Sequence, residues 1–248
     1  MTRKSTHMGC AATSAARPRP VLSRALIAAG GAGALAAADD PAIRLTSEAE
    51  RSASLRLFLR DRPSGDLWVF AYGSLIWNPA LRIAEERRAR IDDWHRAFCL
   101  SMPVGRGTAD RPGLALGLDR GGGCEGMAYR IADTDLETEL PILWNREMLI
   151  AGYIPQWLEV KNAEGIAFGW AIAFVIDRDA PHYVDHLPTG TQVMRLATAA
   201  GSWGTSADYL FRTDDALRSH GIVDRNLARL ACQVSGAIGE SRALALAA

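Results

Sequence analysis

The sequence predicts an α+β fold for this 248-residue chain. Three observations carry that expectation. Apolar and alternating runs of strand length crowd the middle of the chain, glycine-containing turns join several of them, and helical patterns collect toward the ends without the regular βαβα alternation of a doubly wound sheet. The length suits one large domain or two small ones. With 48% apolar and 23% charged residues the chain can bury a sizeable core. Its 28 basic residues balance 28 acidic ones, which argues against nucleic acid or an anionic membrane as the main partner, because such footprints need a clustered basic excess. Oligomeric state is not legible from these features.

Residues 1–45 are expected to be a disordered or weakly ordered tail, rich in Ala, Gly and Arg and without an aromatic residue. Within it Arg17, Arg19 and Arg24 flank or precede a small-residue apolar run from Ala25 to Ala38, a pattern that resembles the three regions of a signal peptide. The competing readings are an unstructured leader and an over-long start, with Met8 as another start. No apolar run reaches the roughly 18–20 residues that span a bilayer. The four cysteines, Cys10, Cys99, Cys124 and Cys232, form no CxxC pair, and a reducing, cytoplasmic setting fits them best.

Residues 46–65 predict a short surface helix and a linker: Ser47 can cap a helix opening at Glu48, and Arg62-Pro63-Ser64-Gly65 ends it. Leu67-Trp-Val-Phe-Ala-Tyr72 is a near-continuous apolar run, as a strand buried on both faces requires. Arg88–Met102 predicts a second strand. Leu114–Leu118 and Cys124–Ile131 flank Asp119-Arg-Gly-Gly-Gly123 and predict a hairpin. Thr134 to about Trp144 predicts a helix, capped by Asp133 or Thr134 and distorted by Pro141. Tyr153–Val160 and Ile166–Ile176 predict another hairpin. Thr189–Ser235 reads as two or three helices, broken at Gly201–Gly204 and at His220-Gly221, and 236–248 as a C-terminal tail.

Two places invite chemistry. The turn Tyr72-Gly73-Ser74-Leu75 ends a buried strand, where glycine permits close backbone approach and successive N–H groups can hold a carboxylate or an oxyanion. It can equally be an ordinary turn, and without GxGxxG or GKS/T a nucleotide site is unsupported. Glu147 continues the face marked by Leu136, Leu140 and Leu143/Trp144, so a carboxylate stands where the pattern asks for an apolar residue. Desolvation there would raise its pKa toward that of a general base. Alternatively, Pro141 or the helix end shifts the register and Glu147 pairs with Arg146 or another cation. His182/His186 and His95/Cys99 have four-residue spacings but no evident third ligand, and read as structural residues rather than a metal site. None of Cys99, Cys124 or Ser74 sits in a nucleophile motif.

Taken together, Val69–Pro79, Trp94–Leu100, Gly105–Thr108, Gly126–Arg130, Leu143–Met148 and Tyr209–Phe211 resemble, in consistent order, the ChaC-type glutathione-specific γ-glutamylcyclotransferases. The resemblance runs from about Asp66 to about Gln233 and marks 66–235 as the catalytic domain. It implies a small mixed-strand β-barrel with flanking helices and no metal or organic cofactor. It also implies a substrate loop at Tyr72, Gly73, Ser74 and Leu75, a catalytic Glu147, and Tyr209 near the substrate. Arg106 matches an Arg-Gly-Thr element without an assigned role, and Pro141 departs from the family pattern. The implied reaction is lyase chemistry on a small-molecule substrate: the γ-glutamyl amine of glutathione attacks its own γ-amide, giving 5-oxoproline and cysteinylglycine. Alternatives are a cyclotransferase for other γ-glutamyl amines or amino acids, and a non-catalytic γ-glutamyl binding protein.

Overall fold

The computed structural model describes residues 22–247. In chain order the elements are α1 (Arg24–Ala28), α2 (Gly31–Asp39), α3 (Glu48–Phe58), β1 (Leu67–Ala71), α4 (Ser74–Trp77), β2 (Glu85–Met102) and β3 (Gly113–Ile131). They continue as α5 (Leu136–Glu147), β4 (Tyr153–Lys161), β5 (Ala167–Ile176), α6 (Thr189–Thr198), β6 (Ala200–Gly201), β7 (Gly204–Thr205), α7 (Ser206–Ser219) and α8 (Arg225–Ala247). The first five strands close a barrel in the order β1-β3-β2-β4-β5, with β5 returning parallel to β1. The α+β expectation and the small mixed barrel are both met.

The reasons are local for several elements. β1 is flanked by β3 and β5 and none of its residues is more than 2% exposed, which explains its unbroken apolar run. Ser47 caps α3 through a reciprocal capping box: its hydroxyl accepts from Glu50 N–H, and the Glu50 carboxylate accepts from Ser47 N–H. The β4–β5 hairpin forms where expected, across Asn162–Gly165. The helix that carries Glu147 runs unbroken from Leu136 to Glu147; Pro141 lies on its exposed side, where the missing backbone donor and any opening of the helix face water.

Three expectations are corrected. Asp119–Gly123 is not a hairpin turn. β3 continues through it, paired with one long partner from Gly113↔Met102 to Arg130↔Glu85, and the strands bend together at a bulge between Asp92 and Trp94. Gly121 and Gly122 have φ of 95° and 75°, opposite Asp93 at 64°, so the glycines serve a bend in a paired strand. Glycine runs permit either outcome, and β2 decided it.

Residues 22–45, expected as part of a tail, hold α1 and α2. Ile27, Ala32 and Ala36 are at most 4% exposed, the small side chains letting these helices lie close against their neighbours. Arg24 grips Glu139 through both carboxylate oxygens at 2.5 and 2.6 Å, and Glu139 is fully buried. The Asp39 carboxylate at the end of α2 accepts from Gly105 N–H at 2.6 Å, from Ser202 N–H and from the Ser202 hydroxyl. These anchors lie 66 to 163 residues away in sequence, beyond what local periodicity reports. The signal-peptide-like pattern begins at residues outside those described. Finally, α8 runs through 236–247, where a C-terminal tail was expected. No helix among the described residues is long and apolar enough to cross a membrane.

Candidate active site

β1 ends at Ala71, and the chain leaves the barrel through Tyr72-Gly73 into the single turn of α4. Tyr72 donates its hydroxyl to the Phe174 carbonyl on β5 at 2.7 Å, which ties the turn to the barrel. Gly73 has an extended φ of −140°, so glycine is not required there for a left-handed backbone. It is required for space: an added Cβ would lie 2.9 Å from Tyr209 Oη. The first backbone bond of α4 runs from Ile76 N–H to the Gly73 carbonyl, leaving the amides of Ser74 and Leu75 outside the helix's own bonding.

Glu147 is the last residue of α5, and the apolar face of that helix, with Leu143 and Trp144 buried, delivers it to the same place. Its side chain is 15% exposed and that of Arg146 4%. Arg146 joins the two halves of the site. Its Nε donates to Glu147 Oε1 at 2.8 Å, its Nη2 donates to Ser74 Oγ at 2.8 Å, and its Nη1 donates to the Asn78 carbonyl. Glu147 thus pairs with Arg146 and also borders the same hollow as the Tyr72–Leu75 turn. Burial raises the Glu147 pKa above the ordinary 4.5, and the charge and hydrogen bond of Arg146 pull it partly back.

Three tyrosines surround the carboxylate. Tyr153 donates to the Leu116 carbonyl at 2.6 Å, and Tyr209 Oη accepts from Leu116 N–H at 3.4 Å. Burial pushes the Tyr209 pKa up to about 12 and those of Tyr72 and Tyr153 well above 10, with the neighbouring Glu147 charge adding to each shift. At neutral pH all three are phenols that can donate or accept a hydrogen bond.

Two hollows meet at this point. The inner one is small and is bounded by Tyr72–Leu75, Glu147, Tyr153 and Tyr209. The outer one holds about 840 Å³ of free space, part of it open to solvent, and reaches Leu22, Met102, Arg106, His182 and Trp203. Ser74, Glu147, Tyr153 and Tyr209 border both. A carboxylate of raised pKa at the junction can take a proton from one atom of a bound molecule and return it to another nearby atom.

All six residues singled out from the sequence, Tyr72, Gly73, Ser74, Leu75, Glu147 and Tyr209, thus border the inner hollow. Sequence reasoning missed Tyr153 and the bridging role of Arg146. The Arg146 pairing was visible as one reading of Glu147. Tyr153 had no signal, because nothing local says that the start of β4 lies beside the end of α5. The histidines do not gather. His182 lines the outer hollow, His186 is exposed beside Asp185, and His95 meets the Gly121 carbonyl. Among the described residues no group of three or more His, Cys, Asp or Glu side chains is arranged to hold a metal ion. Cys99 is a buried thiol whose pKa is pushed up to about 12, chiefly by burial, which suppresses the thiolate.

Comparison with known proteins gives concordant results. The family model described as "ChaC-like protein" matches residues 67–237. The glutathione-specific gamma-glutamylcyclotransferase of Escherichia coli is 40% identical over 198 residues, covering 79% of this chain and 85% of that protein. Its Schizosaccharomyces pombe counterpart is 37% identical over 176 residues, covering 63% and 85%. The crystal structure of a yeast γ-glutamylcyclotransferase specific to glutathione superposes with a TM-score of 0.64 at 20% identity, over 70% of this chain and 97% of that one, and supports the fold.

Proposed function

The chain belongs to the ChaC-like family, and from that premise we propose that it is a glutathione-specific γ-glutamylcyclotransferase with Glu147 as its proton carrier. The observation that carries the reading is a buried carboxylate on the wall shared by two hollows, tied through Arg146 to the strand-end turn opposite. The reaction forms one C–N bond and breaks another, and moves two protons from the attacking nitrogen to the departing one, so that an ammonium becomes a lactam N–H and an amide N–H becomes an ammonium. The α-amine of the γ-glutamyl unit attacks the γ-carbonyl, closes the five-membered lactam and expels cysteinylglycine. Nothing is oxidised or reduced, and no water is consumed.

The substrate supplies its own nucleophile, so the protein's first task is to hold it folded on itself. Correct placement of such an intramolecular attack is worth about 7–11 kcal/mol. The inner hollow suits the γ-glutamyl head, with Tyr72, Gly73, Ser74 and Leu75 around it and Tyr209 closing one side. Glu147 takes a proton from the attacking ammonium and delivers one to the departing nitrogen, and a second follows the same route as the lactam nitrogen gives it up and cysteinylglycine leaves as an ammonium. Its raised pKa suits both halves of that exchange. In this reading the Ser74 and Leu75 amides, which lie outside the bonding of α4, hold negative charge, on the carbonyl oxygen as the tetrahedral intermediate forms or on the α-carboxylate of the substrate. The outer hollow continues from the inner one toward Arg106, His182 and Trp203, along the direction a dipeptide leaving group would extend. A cytoplasmic setting, where glutathione is abundant, is the location this reading favours.

Chromatography of 5-oxoproline released from glutathione, γ-glutamylalanine and a γ-glutamyl alkylamine tests the proposal. Glutathione is expected to be preferred. Equal turnover of all three would replace glutathione specificity with a general cyclotransferase, and binding of glutathione without product would leave a binding protein.

A further inference from the structure

A tripeptide that presents its γ-glutamyl end to the inner hollow carries a second carboxylate at its far end, on glycine. Entering the outer hollow strips water from that anion, so a paired cation is needed there. Two guanidinium groups line the hollow. Arg146 is committed to Glu147, Ser74 and the Asn78 carbonyl. Arg106 is only 7% exposed, yet among the described residues its side chain makes a single long hydrogen bond, Nη1 to the Thr205 carbonyl at 3.3 Å. Its other neighbours are the faces of Tyr209 and Trp77, with ring centroids 5.5 and 5.7 Å from the guanidinium carbon. Aromatic faces attract a cation but do not saturate five N–H donors. The neighbouring carboxylate, Asp208, is bonded to Arg212 at 2.6 Å.

The surrounding backbone places this cation with care. Arg106 N–H donates to the Val104 carbonyl, and the Ser206 hydroxyl donates to the Arg106 carbonyl at 2.9 Å. Gly204, at φ 110°, leaves room for the guanidinium, since a Cβ there would come 2.9 Å from Nη1. Gly105 lies under the Trp203 ring and is held by Asp39. Burial lowers the Arg106 pKa to about 10, which still leaves it charged at neutral pH. A buried, charged group with most of its donors uncommitted, on the wall of the hollow, is the form a carboxylate receptor takes before its ligand arrives.

We infer that Arg106 binds the glycine carboxylate of the tripeptide and so sets the preference for a leaving group ending in a free acid; this rests on the glutathione reading above. Glutathione and its glycine primary amide, which differ in charge but hardly in size, make the test. The unaltered protein should show a KM for the amide about 10–100-fold higher, the range expected of a hydrogen-bonded charge. Arg106→Met should raise KM for glutathione by a similar factor, leave kcat within about threefold, and close the gap between the two substrates; Arg106→Lys should restore part of it. Equal KM values for acid and amide in the unaltered protein overturn the inference without needing any variant. So does an equal loss on both substrates in Arg106→Met. Absence of 5-oxoproline from either substrate in the unaltered protein is a different result, which removes the glutathione reading and this inference with it.

Discussion

The two arginines of the cleft occupy similar surroundings and are used in opposite ways. Arg146, 4% exposed at its side chain, spends its donors on Glu147, Ser74 and the Asn78 carbonyl. Arg106, also buried, has among the described residues one long bond and two ring faces. A guanidinium bonded through all three of its nitrogens is a brace, and one whose donors are mostly open is a receptor. The inner end of the cleft is thus braced beside Glu147, while the outer end holds a cation with most of its donors open.

The sharpest way to break this contrast is at the group Arg146 braces. Glu147→Gln keeps the shape but cannot carry a proton, and 5-oxoproline release should fall about 10²–10⁴-fold with KM little changed. Turnover near the unaltered rate would remove Glu147 from the chemistry. Arg146→Met should cost about 10–100-fold in kcat, because the carboxylate and the Ser74 turn lose the group that aligns them. A drop confined to KM would make Arg146 a binding group instead.

The pH profile sharpens the same point with a defined sign. Glu147 must be ionised to accept the ammonium proton, so kcat/KM should rise with pH through its pKa and be lost below it. Burial puts that limb above 4.5. Since Arg146 lowers the pKa, Arg146→Met should move the limb to still higher pH. A limb that stays in place would mean that some other group titrates.

Smaller effects are expected away from the reacting atoms. Arg24→Met leaves Glu139 buried without its ion partner and should cost about 2–3 kcal/mol in urea denaturation, less than a fully enclosed pair because Arg24 is itself 33% exposed. Unchanged stability would show that α1 docks through Ile27 and its neighbours alone. Ser74→Ala removes one bond from the Arg146 brace and should lower kcat/KM about three- to tenfold.

Much of this was legible in the sequence, for reasons that differ from residue to residue. β1 is apolar at every position because neighbours cover both faces, and Glu147 stood out because a carboxylate interrupts an apolar helical stripe. Ser47 and Glu50 announced the start of α3 within four residues. The proposed substrate turn, Tyr72–Leu75, was recognised from its motif rather than from physics, since a strand ending in Gly-Ser is ordinary. Its special property, Gly73 lying against the Tyr209 hydroxyl, joins residues from opposite ends of the domain. Tyr153, Arg106 as an open donor set and the Asp39 clamp were illegible because each acquires its role from a partner far along the chain.

The division follows the range of the forces involved. Propensity, capping and hydrophobic period act over a few residues, and they were enough to mark most of the barrel's strand segments, though not that 114–118 and 124–131 are one strand, together with most of the helices and the acidic residue at the end of α5. Pairing and burial depend on what arrives from elsewhere. The glycines at 121–123 became a bend because β2 runs past them, and the alanine-rich segment from residue 24 became two docked helices because Glu139, Gly105 and Ser202 wait for Arg24 and Asp39. A small side chain or a flexible backbone states no preference of its own, so only the assembled barrel could choose for it.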